Sequence, residues 1–286
     1  MTENMKSSFI NQNITKKKKY ANEYIGYSFE LEIFKLLCSS GFKLNDRTIL
    51  RTIKKDKYGF VCDLEFFKWM KDNNLTSNKI YAIAAKYCRI DVLKWMEENN
   101  FSKDETAFAG AALKGRFNIL KWMEENNFPK NENTFVCAIR YGDLEILEWM
   151  KNNNFPKNER TFACAAKYCD IEILEWMEKN NFPTNFIAYI FAAKNGNIKN
   201  LEWMLTKKIP QNYLIFANTV KFENINILKW MHYKKFPLDA GAYKNAVLTE
   251  NLEIINWMEE NNFPTDDTID VDLFDLCDDL VSLEVK

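Results

Sequence analysis

The sequence predicts an all-α repeat protein of the solenoid type, on two observations. Each of the eight tryptophans is followed by methionine, and successive Trp-Met pairs are 26 residues apart once and 27 residues apart six times. The phrase NNFPKNENTF at 126–135 returns as NNFPKNERTF at 153–162, again after 27 residues. A fixed period in the range of about 20–50 residues is typical of stacked repeats. The tryptophans are Trp69, Trp95, Trp122, Trp149, Trp176, Trp203, Trp230 and Trp257.

One more unit precedes the first Trp-Met pair, which gives about nine units in all. ELEIFKLLCSSGF at 30–42 matches DLEILEWMKNNNF at 143–155, with Leu36-Leu37 in place of Trp-Met. The distance from Leu36 to Trp69 is 33 residues, which exceeds the period by six. We assign the excess to a surface loop at 54–62, because insertions in loops are tolerated more easily than insertions in helices.

The first helix of each unit is predicted from residues 134–141. The hydroxyl of Thr134 is expected to cap its N-terminus. At 100° per residue, Phe135, Ala138 and Ile139 share one face, which predicts that this face is buried. Gly142-Asp143 then breaks the chain and is expected to cap the helix that follows.

The second helix of each unit carries the Trp-Met pair. In LEILEWMKNN, four apolar side chains cover an arc of about 160°, with glutamates and asparagine on the opposite side. An arc this wide predicts burial against several neighbours, so the Trp-Met column is expected to be core. The four side chains are Ile146, Leu147, Trp149 and Met150.

The repeated phrase is expected to end one unit and start the next. Asn154 stands where the helix must stop and is predicted to adopt the left-handed conformation, which Asn tolerates and Gly prefers. Gly41 occupies the same place in the first unit. Phe155 is expected to fold back onto the helix, and Pro156 prevents helix from continuing.

The run TFVCAIRYGDLEILEWMKNNNFP at 134–156 resembles the ankyrin repeat. Phe135 stands at that family's Leu, Gly142 at its Gly, and Trp149-Met150 at its Leu-Leu pair; a further unit keeps the Ala84-Ala85 pair. The T-P-L-H tetrapeptide is absent, and each unit is six residues short. Such short units look like the ankyrin-like repeats of giant DNA viruses of amoebae. The resemblance implies an all-α solenoid of about nine 27-residue helix-turn-helix units with reduced or absent β-hairpin fingers.

Composition excludes several classes of protein. The net charge is −1, so the whole protein is not steered strongly to nucleic acid or anionic lipid. No apolar run reaches the ~18–20 residues of a membrane span, and the first twenty residues contain no secretory signal. The seven cysteines are scattered and lack a C-x-x-C pair, which favours free thiols in a reducing compartment.

No catalytic or metal-binding motif is present, so an enzyme and a cofactor are not expected. His232 is the single histidine, and a lone histidine on a helix is more often structural. Nucleotide-binding glycine motifs and H-E-x-x-H are absent. The many glutamates of the second helices are expected to form a solvated face. They include Glu97, Glu98, Glu124, Glu125, Glu175, Glu178, Glu259 and Glu260.

One surface carries a less ordinary pattern, because the exposed end of each first helix is basic, usually with an aromatic residue next to it. By the ankyrin resemblance, this end borders the concave groove where that family binds partners. A solvated charged face remains the alternative explanation. We call the predicted set the basic–aromatic row. It consists of Lys86, Tyr87, Lys114, Arg140, Tyr141, Lys167, Tyr168, Lys194, Lys221 and Phe222.

Three regions follow from the boundaries of the repeats. Residues 1–20 form a basic tail expected to be disordered, residues 21–265 the ankyrin-like array, and residues 266–286 an acidic amphipathic helix that caps it. The expected location is intracellular and cytoplasmic, in the host cytoplasm if the protein is viral. The run Lys16–Lys19 leaves nuclear import open.

The predicted function is a non-enzymatic scaffold for protein–protein interaction, and the viral resemblance implies binding to host proteins. We expect a monomer that binds an acidic or extended protein partner and does not bind a membrane. A ubiquitin-ligase substrate adaptor is an alternative, although residues 1–28 hold few apolar residues for an F-box. A second alternative is a nucleic-acid-associated protein that uses the concave basic row. The neutral net charge and the nearby glutamates argue against nucleic acid as a partner.

Overall fold

The structure, a computed structural model, describes residues 64–74 and 80–265, with residues 35, 38 and 39 in helical conformation. All the regular structure in these residues is helical and none is strand, which confirms the all-α prediction for that part of the chain. In chain order the helices are α1 (Leu64–Asp72), α2 (Ile80–Tyr87), α3 (Ile90–Glu98), α4 (Thr106–Ala112), α5 (Phe117–Glu125), α6 (Asn133–Tyr141), α7 (Leu144–Asn152), α8 (Glu159–Tyr168), α9 (Ile171–Lys179), α10 (Ile187–Lys194), α11 (Ile198–Thr206), α12 (Leu214–Val220), α13 (Ile225–Tyr233), α14 (Ala240–Leu248) and α15 (Leu252–Glu260).

The helices from α2 to α15 form seven two-helix repeats. Even-numbered helices are the first helices of the repeats and odd-numbered helices the second, with α1 belonging to the repeat before. The predicted loop at 54–62, the tail at 1–20 and the cap at 266–286 lie outside the described residues. The same holds for all but three residues of the predicted first unit at 30–42.

The helices divide into two compact units, Met1–Pro156 and Lys157–Lys286. In the first unit, the first helices α2, α4 and α6 pack side by side; in the second, α8, α10, α12 and α14 do the same. Each first helix also packs against its own second helix. A Cβ added to Gly110 would lie 2.0 Å from the carbonyl oxygen of Ala82, so glycine permits α2 and α4 to approach closely.

The first helices form the interior of each unit. Every residue of α10 from Ala188 to Ala193 is buried, as is every residue of α12 from Ile215 to Val220. A helix that is buried on all sides needs apolar or small residues all round. The second helices are amphipathic instead, with exposed glutamates such as Glu148 and Glu175 on their outer side, as the sequence predicted.

The two members of the Trp-Met pair have different environments, which corrects the expectation that both are core. The eight methionines of the Trp-Met pairs are fully buried, so the prediction is confirmed for Met. Only Trp122 and Trp203 are buried among the tryptophans; the other six are half-buried. Five of these six rings, all but Trp69, cover the phenylalanine that follows their helix, for example Trp149 on Phe155 with centroids 5.5 Å apart. The tryptophan is therefore a cover at the edge of the core.

We call the residues from the end of each second helix to the following phenylalanine the closing turn. In the repeat of α7, the Nδ2 of Asn153 donates to the carbonyl of Trp149 at 2.8 Å. Asn154 then has a φ of 55°, and Phe155 is buried with its amide bonded to the carbonyl of Met150. The predictions for Asn154 and Phe155 are confirmed.

The lysine of the repeated phrase binds the closing turn of the next repeat. The Nζ of Lys130 donates to the carbonyl of Asn153 at 2.9 Å, forms an ion pair with Glu124 at 2.6 Å, and lies 4.7 Å from the ring centroid of Phe155. Lys157 donates in the same way to the carbonyl of Asn180 at 2.9 Å. The period of the phrase therefore reflects contacts between repeats as well as the turn itself.

The N-cap prediction for Thr134 is wrong. Thr134 lies inside α6, whose N-cap is Glu132, and its buried hydroxyl has no hydrogen-bond partner. In the next repeat the cap is Asn158, which accepts from the amide of Thr161 in a capping box. By contrast, Asp143 caps α7 as predicted, accepting from the amides of Glu145 and Ile146.

Candidate binding surface

The basic–aromatic row lies where the first helix of a repeat turns into the second, which we call the inter-helix turn. Lys86, Arg140, Lys167, Lys194 and Lys221 occupy one equivalent position at multiples of 27 residues. Two repeats carry leucine there, Leu113 and Leu248. Two positions after this residue, the backbone of five repeats is left-handed, with a positive φ. The left-handed residue is Gly115, Gly142, Gly196, Glu223 or Glu250.

In the unit of residues 1–156, the row contains five predicted residues. The Nζ of Lys86 lies 5.1 Å from the ring centroid of Tyr87, at the end of α2. The ring of Tyr141 packs directly on Gly115 of the preceding repeat, because an added Cβ there would lie 2.0 Å from its Cε1. Tyr141 remains 51% exposed, and Lys114 and Arg140 are exposed as well.

In the unit of residues 157–286, the structure joins cations and rings of successive repeats. The Nζ of Lys167 lies 4.6 Å from the ring centroid of Tyr168 and 6.0 Å from that of Phe191 in the next first helix. The Nζ of Lys194 lies 5.3 Å from the ring centroid of Phe222, again in the next repeat. Cation–π attraction operates at these distances, so the rings help to position the ammonium groups.

The rings of this second part of the row are only partly covered. Tyr168 is 42% exposed, and Phe222 is half-buried. Lys194 and Lys221 are exposed, and Lys167 is half-buried. Carboxylates also occur at the inter-helix turns. They are Asp170, Glu223 and Glu250. The surface is therefore a spaced set of cations beside aromatic faces rather than a uniform positive patch.

Other sites for chemistry are scarce in residues 64–74 and 80–265. No group of three His, Cys, Asp or Glu side chains is arranged there to hold a metal ion. His232 is half-buried and packs between Trp257, at 5.6 Å, and Phe263, at 5.0 Å between ring centroids. This histidine therefore has a packing role. None of the helices described is long and apolar enough to cross a membrane.

The cysteines only partly fit the expectation of free thiols. Four are thiols outside any disulfide bond, namely Cys38, Cys137, Cys164 and Cys169. Burial raises the pKa of the Cys169 thiol to about 12, so that thiol remains protonated at neutral pH. Cys88 is disulfide-bonded, so the free-thiol prediction is wrong for that residue. Cysteine usage therefore no longer supports a reducing compartment.

Comparisons with known proteins identify no family for this chain. No protein-family model matches the chain, and no curated protein matches it. Among solved structures, the pentatricopeptide repeat protein PPR10 from maize is similar, with a TM-score of 0.33 and 12% identity over 82% of this chain and 47% of that one. PPR10 in complex with an 18-nt psaJ RNA element gives a TM-score of 0.30 and 12% identity, over 90% of this chain and 53% of that one. This chain thus spans about half the length of those chains.

One expectation is corrected, and others stay predictions. Nucleic acid was expected to be an unlikely partner, whereas PPR10, one of the similar chains, was crystallised with an RNA element. The comparisons support neither the ankyrin family nor a viral source for this chain. The basic–aromatic row itself stays a prediction, now with a described geometry.

Proposed function

We propose that this chain is a non-enzymatic binding scaffold whose basic–aromatic row binds single-stranded nucleic acid. The observation that carries the proposal is the set Lys167, Lys194 and Lys221, one repeat apart in one compact unit, beside the partly exposed rings of Tyr168 and Phe222. The regular spacing suits a partner that is itself a regular, extended polymer.

The chemistry of the row matches the two needs of a single strand. Lysines neutralise phosphates and release counterions, which provides affinity that does not depend on sequence. Partly exposed aromatic faces stack on unpaired bases, at about 1–3 kcal/mol per base. A duplex offers no open base faces, so single strands are the preferred form.

The near-neutral net charge is compatible with this proposal. Charges act locally over about 8 Å at physiological salt, so a lysine row is felt near its own surface. The exposed glutamates of the second helices, such as Glu148 and Glu175, lie on the other helix of each repeat. The protein as a whole remains near neutral while one surface attracts an anionic strand.

An acidic, extended segment of another protein is the competing partner, as the ankyrin resemblance implies. Lysines attract a polyanionic peptide as well as a phosphate chain, and tyrosine is enriched at protein interfaces. Such a peptide lacks a ring to stack on Tyr168 and Phe222 at every residue. Removal of these rings therefore separates the two kinds of partner.

The test is a titration of a fluorescein-labelled oligouridylate into the full chain, read by fluorescence anisotropy. We expect Lys167→Glu, Lys194→Glu and Lys221→Glu together to weaken binding by about tenfold or more and to flatten its salt dependence. Tyr168→Ala with Phe222→Ala should also weaken binding, because stacking is lost. Circular dichroism serves as the folding control, because Lys167 and Phe222 are half-buried, whereas Tyr168, Lys194 and Lys221 are exposed and their substitution should change stability little.

The matched control places the same charge change on the second helices and their ends. It is the triple variant Lys179→Glu, Lys208→Glu and Lys229→Glu, all at exposed positions of the same unit. This variant should bind within about twofold of the parent, because only local charges contribute. Equal losses in both triple variants, or no binding by the parent, would overturn the proposal. Binding of polyglutamate instead, unaffected by the ring removals, would favour the protein partner.

A further inference from the structure

The last described repeat ends in an exposed apolar surface, which we call the end face. Val247 is 48% exposed, Leu248 is 70% exposed and Leu252 is 71% exposed. They lie at the end of α14 and the start of α15, on the two sides of the inter-helix turn. Three large apolar side chains this close together and this exposed indicate a surface that something covers.

The position of Val247 is covered in the preceding repeats by the first helix that follows, whereas Leu248 stands at the position of the exposed Lys194 and Lys221. Residues 27, 54 and 81 positions before Val247 are Val220, Ala193 and Ala166, and all three are fully buried. Their helices pack against the next first helix along the chain, from α8 to α10 to α12 to α14. Helix α14 has no such helix after it in residues 80–265, so Val247 is exposed.

Leu252 shows the same relation on the second helix. Its equivalent in the repeat of α5 is Phe117, whose ring packs against Trp149 of the next repeat with centroids 5.6 Å apart. Trp149 belongs to α7, so one second helix covers this position of the previous one. Leu252, at 71% exposed, is less covered than its equivalents in the two preceding repeats, since Ile198 is 37% exposed and Ile225 is half-buried.

We infer that residues 266–286 cover the end face. The segment directly follows Thr265, so it is the part of the chain closest to the surface in sequence. It places Ile269, Leu273 and Leu276 at helical spacing, with aspartates between them. An amphipathic segment can present its apolar side to Val247 and Leu252 and its aspartates to water, as the terminal layer of a repeat protein requires.

The period supports this assignment. Asp266 stands 27 residues after Asp239, the N-cap residue of α14. In the repeats before it, the same position holds Asn158, the N-cap of α8. A cap residue at Asp266 starts the segment at the register where the next first helix is due. The inference does not depend on the proposed nucleic-acid binding.

The test is hydrogen exchange of the full chain, measured by mass spectrometry on peptides from 266–286 and from 247–254. In the parent, amides of 268–280 should exchange at least about tenfold more slowly than unstructured amides. Leu252→Asp should remove this protection, because a buried carboxylate opposes docking. Tyr233→Asp is the matched control: its side chain is 80% exposed on α13, away from the end face, and protection should persist.

A reciprocal variant keeps the test decisive if Leu252→Asp unfolds the last repeat. Leu273→Asp with Leu276→Asp should raise exchange in 247–254 and leave the earlier repeats unchanged. Unprotected amides at 268–280 in the parent would overturn the inference, as would protection that survives Leu252→Asp. Protection that disappears on dilution, with a dimer seen by analytical ultracentrifugation, would assign the end face to a second copy of the chain instead.

Discussion

The two turns of each repeat are built under different constraints. The closing turn is nearly invariant: six asparagines donate their Nδ2 to the Trp carbonyl four residues before, and the next residue has a φ of 53–59° in every described repeat. At the inter-helix turn, the left-handed position is glycine in three repeats, Glu223 in one and Glu250 in another. The side chains before it range from lysine with tyrosine to leucine with threonine.

The difference separates a turn that packs between repeats from a turn whose side chains lie at the surface. At the closing turn, the buried phenylalanine contacts the first helix of the preceding repeat, as in Tyr81–Phe128 at 5.2 Å and Tyr189–Phe236 at 5.4 Å between centroids. A change in its geometry would disturb two repeats. The inter-helix turn carries its side chains at the surface, so its residues can differ from repeat to repeat and can serve a partner.

The largest expected effect is at the closing turn. Phe182 is 4% exposed and lies 5.3 Å from the ring of Trp176, so Phe182→Ala should cost about 3–5 kcal/mol of unfolding free energy. Phe222→Ala, at a half-buried inter-helix position, should cost about 1 kcal/mol because less apolar area is lost. Urea unfolding followed by tryptophan fluorescence measures both. Similar costs for the two variants would contradict this difference between the packed turn and the surface turn.

A second test uses pH, through a tyrosine that bonds to the end of a closing turn. Burial raises the pKa of Tyr189 to about 12, and its hydroxyl donates to the carbonyl of Ile209 at 3.2 Å. An unfolded tyrosine ionises near pH ~10, so its stabilising effect is complete below that pH and is lost as pH rises toward ~12. The loss should reach about 2–3 kcal/mol.

The measurement is urea unfolding at about pH 9 and about pH 11 for the parent and for Tyr189→Phe. The phenylalanine variant should show a smaller loss of stability between the two pH values, because it has no phenol to ionise. Tyr233→Phe provides the control, since the side chain of Tyr233 is 80% exposed. A pH dependence unchanged in Tyr189→Phe would show that other groups cause the alkaline loss.

The left-handed residue of the closing turn gives a smaller effect with a clear sign. Asn154 has a φ of 55° and an exposed side chain. Asn154→Ala should cost about 1–2 kcal/mol, because a Cβ without a polar group is strained in this conformation. Asn154→Gly should cost nothing measurable, since glycine adopts it freely. Thermal melting of both variants decides the matter, and equal losses would mean that the side chain of Asn154, not its φ, is needed.

The smallest expected effect is a gain in stability. Lys208 replaces asparagine at this position with a φ of 55°, so Lys208→Gly should stabilise the chain by about 0.5–1 kcal/mol. The neighbouring Lys207 has a φ of −82° and pairs with Glu178 at 2.6 Å. Lys207→Gly should therefore destabilise the chain in the same urea assay. A loss of stability in Lys208→Gly would show that the lysine side chain outweighs the backbone strain.

Features set by neighbouring residues could be predicted from the sequence. The 27-residue period and the apolar spacing predicted pairs of helices, because helical geometry places every third or fourth residue on one face. Asn154, Phe155 and the Gly142-Asp143 pair were assigned correctly, since their preferences depend on local backbone conformation. The position of the basic–aromatic row at the ends of first helices followed from the same local pattern.

What depends on contacts between repeats was decided only by the tertiary structure. The sequence did not distinguish the buried methionine from the half-buried tryptophan next to it, because the next repeat determines how far each is covered. It also missed Lys130, whose Nζ binds Asn153 of the following repeat across 23 residues. Local propensity fixes the conformation of a short stretch, but the partner of a long side chain depends on where distant residues are brought by packing.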